Sequence, residues 1–171
     1  VNDQYGYLSN HLLLTNLYGP GDDFREKTSH VIPALIKKIE EAVSQNKDHI
    51  VAWGDGSPTR DFLYVKDAAR GVVQAAELNK TVAPINLASG HEVSIKSLFK
   101  LLLKTGKHDL EIKWDTSKPN GQARRLLDTS KAMSEFSFEA DTSIEEGVKE
   151  TYAWYLSNRE NIDSLPDKFM S

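Results

Sequence analysis

"LLLTNLYGPGDDF", residues 12–24, decides the fold. Leu12, Leu13, Leu14 and Thr15 follow one another without the alternation of a strand that has one wet face. They predict a strand buried on both sides, as in parallel sheets. Asn16 to Asp23 then supply two glycines, a proline and a polar tail, which predict a turn just past the strand's carboxyl end. Open α/β sheets hold their ligands at that end. The other members of such a sheet are expected to lie outside this sequence.

Working outward, residues 29–46, "SHVIPALIKKIEEAVSQN", place Val31, Ile32, Leu35, Ile36, Ile39, Ala42 and Val43 at helical spacing, with Ser29 as the expected cap and Pro33 early enough to be tolerated. "HIVAW" predicts a short strand closed by the turn "GDGSPT", and "RDFLYV" predicts another. "KDAARGVVQAAEL" predicts a helix with Ala68, Val72, Val73 and Ala76 on its inner side, and "APINLAS" a strand ending at Gly90. "SIKSLFKLLLKTG" predicts a helix capped by Ser94 and stopped by Gly106. "LEIKW" follows as a strand, "SKPNGQ" as a turn, and "DTSKAMSEF" as a short helix opened by Asp128. A last helix, residues 142–158, opens with a capping box, Thr142 to Glu145 or Ser143 to Glu146, and carries an Ile144, Val148, Tyr152, Tyr155 stripe. The alternation of strands and helices makes the class α/β.

With 171 residues, 39% apolar and 27% charged, the composition is that of a soluble domain with a real core. A formal charge of −4 with mixed signs offers no basic block for nucleic acid or an anionic membrane. No run of eighteen apolar residues and no signal peptide is present, and cysteine is absent. Disulfides, thiol nucleophiles and thiolate metal sites are therefore excluded, and a cytoplasmic location is expected. No His, Asp and Glu cluster has ligand spacing, so no metal is expected. Ser29 and His30 are neighbours without a placed acid, which argues against a hydrolytic triad.

Six segments in order, "TNLYGPGDDF", "SHVIPALIKK", "VAWGDGSPTRDFLYVKDAA", "INLASG", "SIKSL" and "KPNGQARRLLDTSKA", resemble the carboxyl-terminal half of the GDP-L-fucose synthases. These form a branch of the extended short-chain dehydrogenase/reductase family of nucleotide-sugar epimerases and reductases. The likeness runs from Tyr5 to Asn158. It implies a substrate-binding portion of a Rossmann-type enzyme that lacks most of the dinucleotide-binding sheet. Residues 1–24 would be the last part of the Rossmann domain, 25–158 the nucleotide-sugar portion, and 159–171 a loosely held tail. Neither G-x-G-x-x-G nor Tyr-x-x-x-Lys occurs in the sequence; Tyr5 is followed four residues later by Ser9, and Tyr7 by His11. The expectation is a truncated chain, inactive alone, whose NADP(H) site is incomplete and whose partners are a GDP-sugar and a complementary amino-terminal half. Family members are often homodimers. Another NAD(P)-dependent nucleotide-sugar epimerase or dehydratase, and a non-catalytic binding or assembly module, are the alternatives.

The resemblance implies that His30 contacts the nicotinamide and reprotonates the sugar, work that suits an imidazole; by itself a histidine at a helix start is more often a cap or surface residue. Leu14, Thr15, Asn16 and Leu17 match the segment along the nicotinamide end, although the family usually has proline at Leu14, and a core strand is an equal reading. Trp53 ends a strand before a glycine turn, where its indole can pack on a guanine or sugar face, and Arg60 can fork onto a diphosphate. A core tryptophan and a solvated arginine are the bland readings, and their separation by one turn lifts them as a pair. Lys38 lies two turns after His30 on roughly the same side and matches a basic substrate position. Asp128 matches a sugar-nucleotide carboxylate and is equally a helix cap. Lys118, Arg124 and Arg125 form a basic loop able to face a diphosphate, or are solvated.

Overall fold

The computed structural model describes residues 2–6, 9–78 and 82–164. Its opening strand is really two. β1 (Leu12–Leu14) pairs in parallel with β5 (Ile85–Leu87), and β2 (Asn16–Tyr18) pairs in parallel with β4 (Thr59–Tyr64). Thr15 is the joint at which one run changes partner, so Asn16 to Tyr18 is strand and the turn begins only at Gly19. β4 also pairs antiparallel with β6 (Glu92–Ser94) and parallel with β8 (Arg124–Arg125), while β3 (His49–Trp53) pairs in parallel with β7 (Glu111–Asp115). Helices α1 (Asn2–Tyr5), α2 (Val31–Ser44), α3 (Val65–Leu78), α4 (Ile95–Gly106), α5 (Ser130–Phe136) and α6 (Ile144–Asp163) complete the α/β fold.

Helical spacing builds the larger core. Ile32, Ile36 and Ile39 of α2, Leu98, Phe99 and Leu102 of α4, and Val148, Tyr152 and Tyr155 of α6 are all buried together with Phe62 and Tyr64 of β4. A second cluster gathers Leu63, Ala68, Ala75, Ile85, Leu87, Phe136 and Phe138 around α3, α5 and β5. Successive residues of β4 point to opposite faces, so Phe62 serves the first core and Leu63 the second.

Ser94 caps α4 by accepting the Ser97 N–H at 3.0 Å, and Ser143 with Glu146 forms the capping box of α6. α2 has no side-chain cap; His30, not Ser29, occupies the cap position. Lys107, with φ 58°, makes the left-handed turn that ends α4, because Gly106 sits against the Tyr152 hydroxyl as the helix's last residue. The inner face of α3 is Ala68, Gly71 and Ala75, not Val72 and Val73, which are exposed like Ala76. Small residues win there because Gly71 lies directly against Leu87 and Phe138, leaving no room for a branched side chain. β1 is not buried on both sides: Leu13 and Leu14 are 54% and 43% exposed, since only β5 pairs with it among the described residues. Helix α6 continues through residues 159–163, the first part of the expected tail; residues 165–171 lie outside the described residues.

Arg159 is one reason for that continuation. It reaches Glu40, a buried carboxylate that also accepts from the Tyr152 hydroxyl at 2.6 Å and lies 2.8 Å from His108 Nε2. Burial first, and the Glu40 carboxylate second, push the Tyr152 phenol well above its ordinary range, so it stays a donor. Glu40 thereby ties α2, the end of α4 and α6 together. Glu40→Ala is expected to cost about 3 kcal/mol or more, because it strands a phenol, an imidazole and a guanidinium. Urea unfolding should show a lower midpoint at unchanged slope, with Ser143→Ala losing only about 1 kcal/mol.

Candidate functional site

Asp61 follows Arg60 on β4, and its side chain is wholly buried. Its carboxylate accepts from Ser89 N–H at 3.0 Å, Ser89 Oγ at 2.7 Å and Gly90 N–H at 3.2 Å, fixing the turn after β5. Its main-chain carbonyl accepts from Thr15 Oγ1 at 3.0 Å and Asn16 Nδ2 at 2.8 Å, fixing the joint between β1 and β2. Thr15 and Asn16 thus spend their side chains on the scaffold. One residue brings the ends of β1 and β5 to the base of Arg60.

Arg60 itself donates through Nη1 to the carbonyls of Thr59 and Gln122, both at 2.7 Å. Across the parallel ladder its register partner is Arg125, and residues opposite one another share a face of the sheet. Arg124 points away and is neutralised by Glu92 at 2.8 Å, which lowers the Glu92 carboxyl below its usual range. Of the basic pair, then, Arg125 stands beside Arg60 and Arg124 does not.

Trp53, at the end of β3, is 69% exposed, which rules out the core reading. The loop between β7 and β8 folds against it: Lys118 Nζ lies 6.0 Å from the centre of its ring, and Asn120 Oδ1 accepts from Asp55 N–H at 2.8 Å. Gly54, with φ 76°, admits that amide, since a Cβ there would collide with the Asn120 side chain. Residues 118–122 therefore run from the indole of Trp53 to the guanidinium of Arg60 as one continuous segment.

His30 and Leu17 line a cleft of about 150 Å³ with Gly19, Pro20, Gly21 and Val65. The imidazole is largely exposed, and Asp22 Oδ1 stands 3.7 Å from its Nδ1, too far for a hydrogen bond. Burial pushes the Asp22 carboxyl up against the opposing effects of the Asp23 N–H and His30. Asp23 behaves oppositely: Arg25 forks onto it at 2.8 Å through Nε and Nη2, Thr28 donates at 2.6 Å, and these bonds hold its carboxyl far below the ordinary range. That clasp sets the chain entering α2.

Lys38 does not join His30. It lies about 12 Å further along the helix and donates to the Val51 carbonyl at 2.6 Å, so it faces the strand that leads to Trp53. Asp128 is not the cap residue of α5, which is Thr129, but from one position earlier its Oδ1 accepts from Ser130 N–H at 2.9 Å, and it lines a cleft of about 380 Å³ with Ser89, Gly90 and His91. The turn held by Asp61 is thus one wall of the Asp128 cleft. Leu14 is exposed at the end of β1 and packs in neither core.

Comparison with known proteins gives this geometry a family. Residues 1–88 match the model of the NAD dependent epimerase/dehydratase family. The chain belongs to that family. It is 40% identical over 155 residues to the probable GDP-L-fucose synthase 1 of Oryza sativa subsp. japonica, covering 91% of this chain and 47% of that protein. The GDP-L-fucose synthase of Escherichia coli strain K12 is 36% identical over 170 residues, 94% of this chain and 53% of the relative. A crystal structure of a GDP-L-fucose synthetase from Naegleria fowleri bound to NADP superimposes with a TM-score of 0.84 at 31% identity, over 93% of this chain and 50% of that one. The chain spans about half the length of the curated relatives it matches.

For an epimerase/dehydratase chain, two residues that matter here, Asp61 and Asn120, lie within the resembling segments but are not among the candidate site residues of the sequence. Asp61 stands in the sequence between the polar Thr59-Arg60 and the apolar Phe62-Leu63-Tyr64, where a carboxylate entering the core must be hydrogen-bonded. Asn120 had no signal beyond its place in a turn. Asp61→Ala is expected to destabilise the fold by roughly 3 kcal/mol, since it leaves three donors around Ser89 and Gly90 unpaired. Chemical denaturation measures it. The depressed carboxyl of Asp23 contributes stability that is full above the ordinary value of about 3.9 and is lost as the pH falls below it. The Tm of Asp23→Asn should therefore approach that of the wild type as pH is lowered from 5 to ~2.5.

Proposed function

We propose that this chain is the nucleotide-sugar-binding part of a GDP-L-fucose synthase-like enzyme, which converts GDP-4-keto-6-deoxy-mannose to GDP-fucose by 3,5-epimerisation and NADPH-dependent 4-reduction. One observation carries the reading. Trp53 and Arg60, an exposed aromatic face and a guanidinium, are joined by a single loop in a chain whose relatives are named for a GDP-sugar.

In this reading the indole of Trp53 stacks on the base, and Arg60 exchanges its bonds to main-chain carbonyls for charge-assisted bonds to the diphosphate, with Arg125 beside it. Asp128 and Lys38 are the further substrate contacts. His30, solvent-facing at the start of α2, holds the proton delivered to the sugar carbon during epimerisation. Leu14, Thr15, Asn16, Leu17 and His30 would hold the nicotinamide end of NADP(H), which supplies hydride when bound. Leu14 and Leu17 offer the apolar contact, and the bonds of Thr15 and Asn16 to Asp61 keep that backbone in place. The phosphate-binding turn and the Tyr/Lys pair would come from a complementary amino-terminal portion.

Calorimetric titration tests the binding claim. GDP-L-fucose should bind the purified chain and UDP-glucose should bind more weakly, with Arg60→Ala losing about 1.5 to 3 kcal/mol. Unchanged affinity in both Arg60→Ala and Trp53→Ala would move the pocket elsewhere. The chain alone should oxidise no NADPH with a keto-sugar nucleotide. Once a complementary half restores turnover, His30→Gln should slow solvent deuterium incorporation at the epimerised carbons by 10² to 10⁴ fold, roughly the scale of general acid catalysis, while barely changing substrate affinity. Equal incorporation would leave His30 as structure.

A further inference from the structure

Lys118, which the sequence offers as part of a basic loop able to face a diphosphate, is brought by the fold to Trp53 instead. It sits in the loop that closes over Trp53, its backbone N–H bonded to the Asp115 carbonyl at 3.2 Å, and its ammonium stands 6.0 Å above an exposed indole. The rest of the loop is fixed on both flanks, by Asn120 on Asp55 and by Gln122 on Arg60. An exposed tryptophan face with a cation suspended over it is a slot with two walls.

We infer that Lys118 is the residue that selects the base, reading the acceptor edge of a guanine stacked on Trp53. The inference rests on the nucleotide-sugar reading above and adds to it the source of base discrimination. Two van der Waals contacts of about 3.5 Å each are needed to seat a planar ring between indole and ammonium, against the 6.0 Å now present. Swinging the flexible lysine stem toward the edge of an inserted ring makes up the difference without moving the anchored ends of the loop. An ammonium has three donors and no acceptor. Guanine answers it with O6 and N7 side by side, whereas adenine sets an amino donor beside N7 and repels one arm of the contact. Stacking on Trp53 is tolerant of base identity, because every base has a π-face. Discrimination therefore falls to the group that faces the edge. Arg60 and Arg125 lie at the far end of the segment, where a diphosphate shared by all nucleotides would sit.

The test is titration of the purified chain with GDP, ADP and UDP, read by quenching of indole fluorescence, with Trp53→Phe to show that the signal belongs to Trp53 and not to Trp114 or Trp154. Wild type should prefer GDP to ADP by about tenfold or more, the scale of a good donor pair on a base edge. Lys118→Met keeps the length of the side chain and removes the charge. It should cut GDP affinity by about tenfold and bring GDP and ADP to near equality, while Lys118→Arg retains the preference. Equal weakening of GDP, ADP and UDP in Lys118→Met would assign the lysine to the phosphates and overturn the inference. GDP binding unchanged by Lys118→Met would overturn it as well and leave the nucleotide-sugar reading standing. Failure of the wild-type chain to bind any of the three would instead remove that reading, and the slot with it.

Discussion

The buried carboxylate of Asp61 is the constraint on which the rest of this architecture depends. Among the described residues no cation pairs with it; it is held by three donors from the turn after β5. Such a group tolerates little rearrangement, because each donor that drifts away exposes a charge to an apolar interior. The turn at Ser89 and Gly90, the joint at Thr15 and Asn16, and strand β4 therefore move as one piece. That piece carries the site. Arg60 precedes Asp61 by one residue and projects to the opposite face, so the guanidinium proposed to meet the diphosphate is braced by the carboxylate that faces the scaffold.

The same strand divides the molecule's energetics. Phe62 and Tyr64 belong to the core under α2, α4 and α6, and Leu63 to the core of α3, α5 and β5. A perturbation of β4 is consequently felt in both cores. The loops that dress the site are different. Residues 118–122 touch the body through Asn120 and Gln122, partners that are themselves exposed and can exchange with solvent. Rigid backing beneath Arg60 and an adjustable segment above Trp53 suit a pocket that must admit a ligand without losing its frame.

How much of this could be read in the sequence follows from what each signal measures. The helices α2, α4 and α6 were legible because large apolar residues repeat at helical spacing and two of the three helices carry a serine cap. Helix α3 was found, but its face was misread, because hydrophobicity favours Val72 and Val73 whereas close approach to Leu87 and Phe138 selects Gly71 and its small neighbours. The run at Leu12 predicted a parallel strand correctly and its burial incorrectly, for burial depends on partners that a local pattern cannot name. Trp53 and Arg60 were legible as a pair across a turn. The loop that joins them was legible as a turn and a basic segment, but not its contacts, since Lys118, Asn120 and Gln122 meet their partners only after β3 and β7 have aligned.

The contrast between Asp22 and Asp23 shows how two identical side chains, adjacent in sequence, take different work. Asp23 is saturated by Arg25 and Thr28, so its charge is spent on holding the loop before α2 in one shape. Asp22 is largely buried, with Oδ1 taken by the Asp23 N–H and Oδ2 without a partner among the described residues. An unpaired buried carboxylate oxygen is costly and gains from any donor that comes near. His30 Nδ1 does not fill that role, for it lies 3.7 Å from Oδ1, the oxygen that already accepts from the Asp23 N–H. The turn thus sets the chain entering α2 through Asp23 and, through Asp22, leaves a buried carboxylate beside the imidazole with one oxygen open to a further donor.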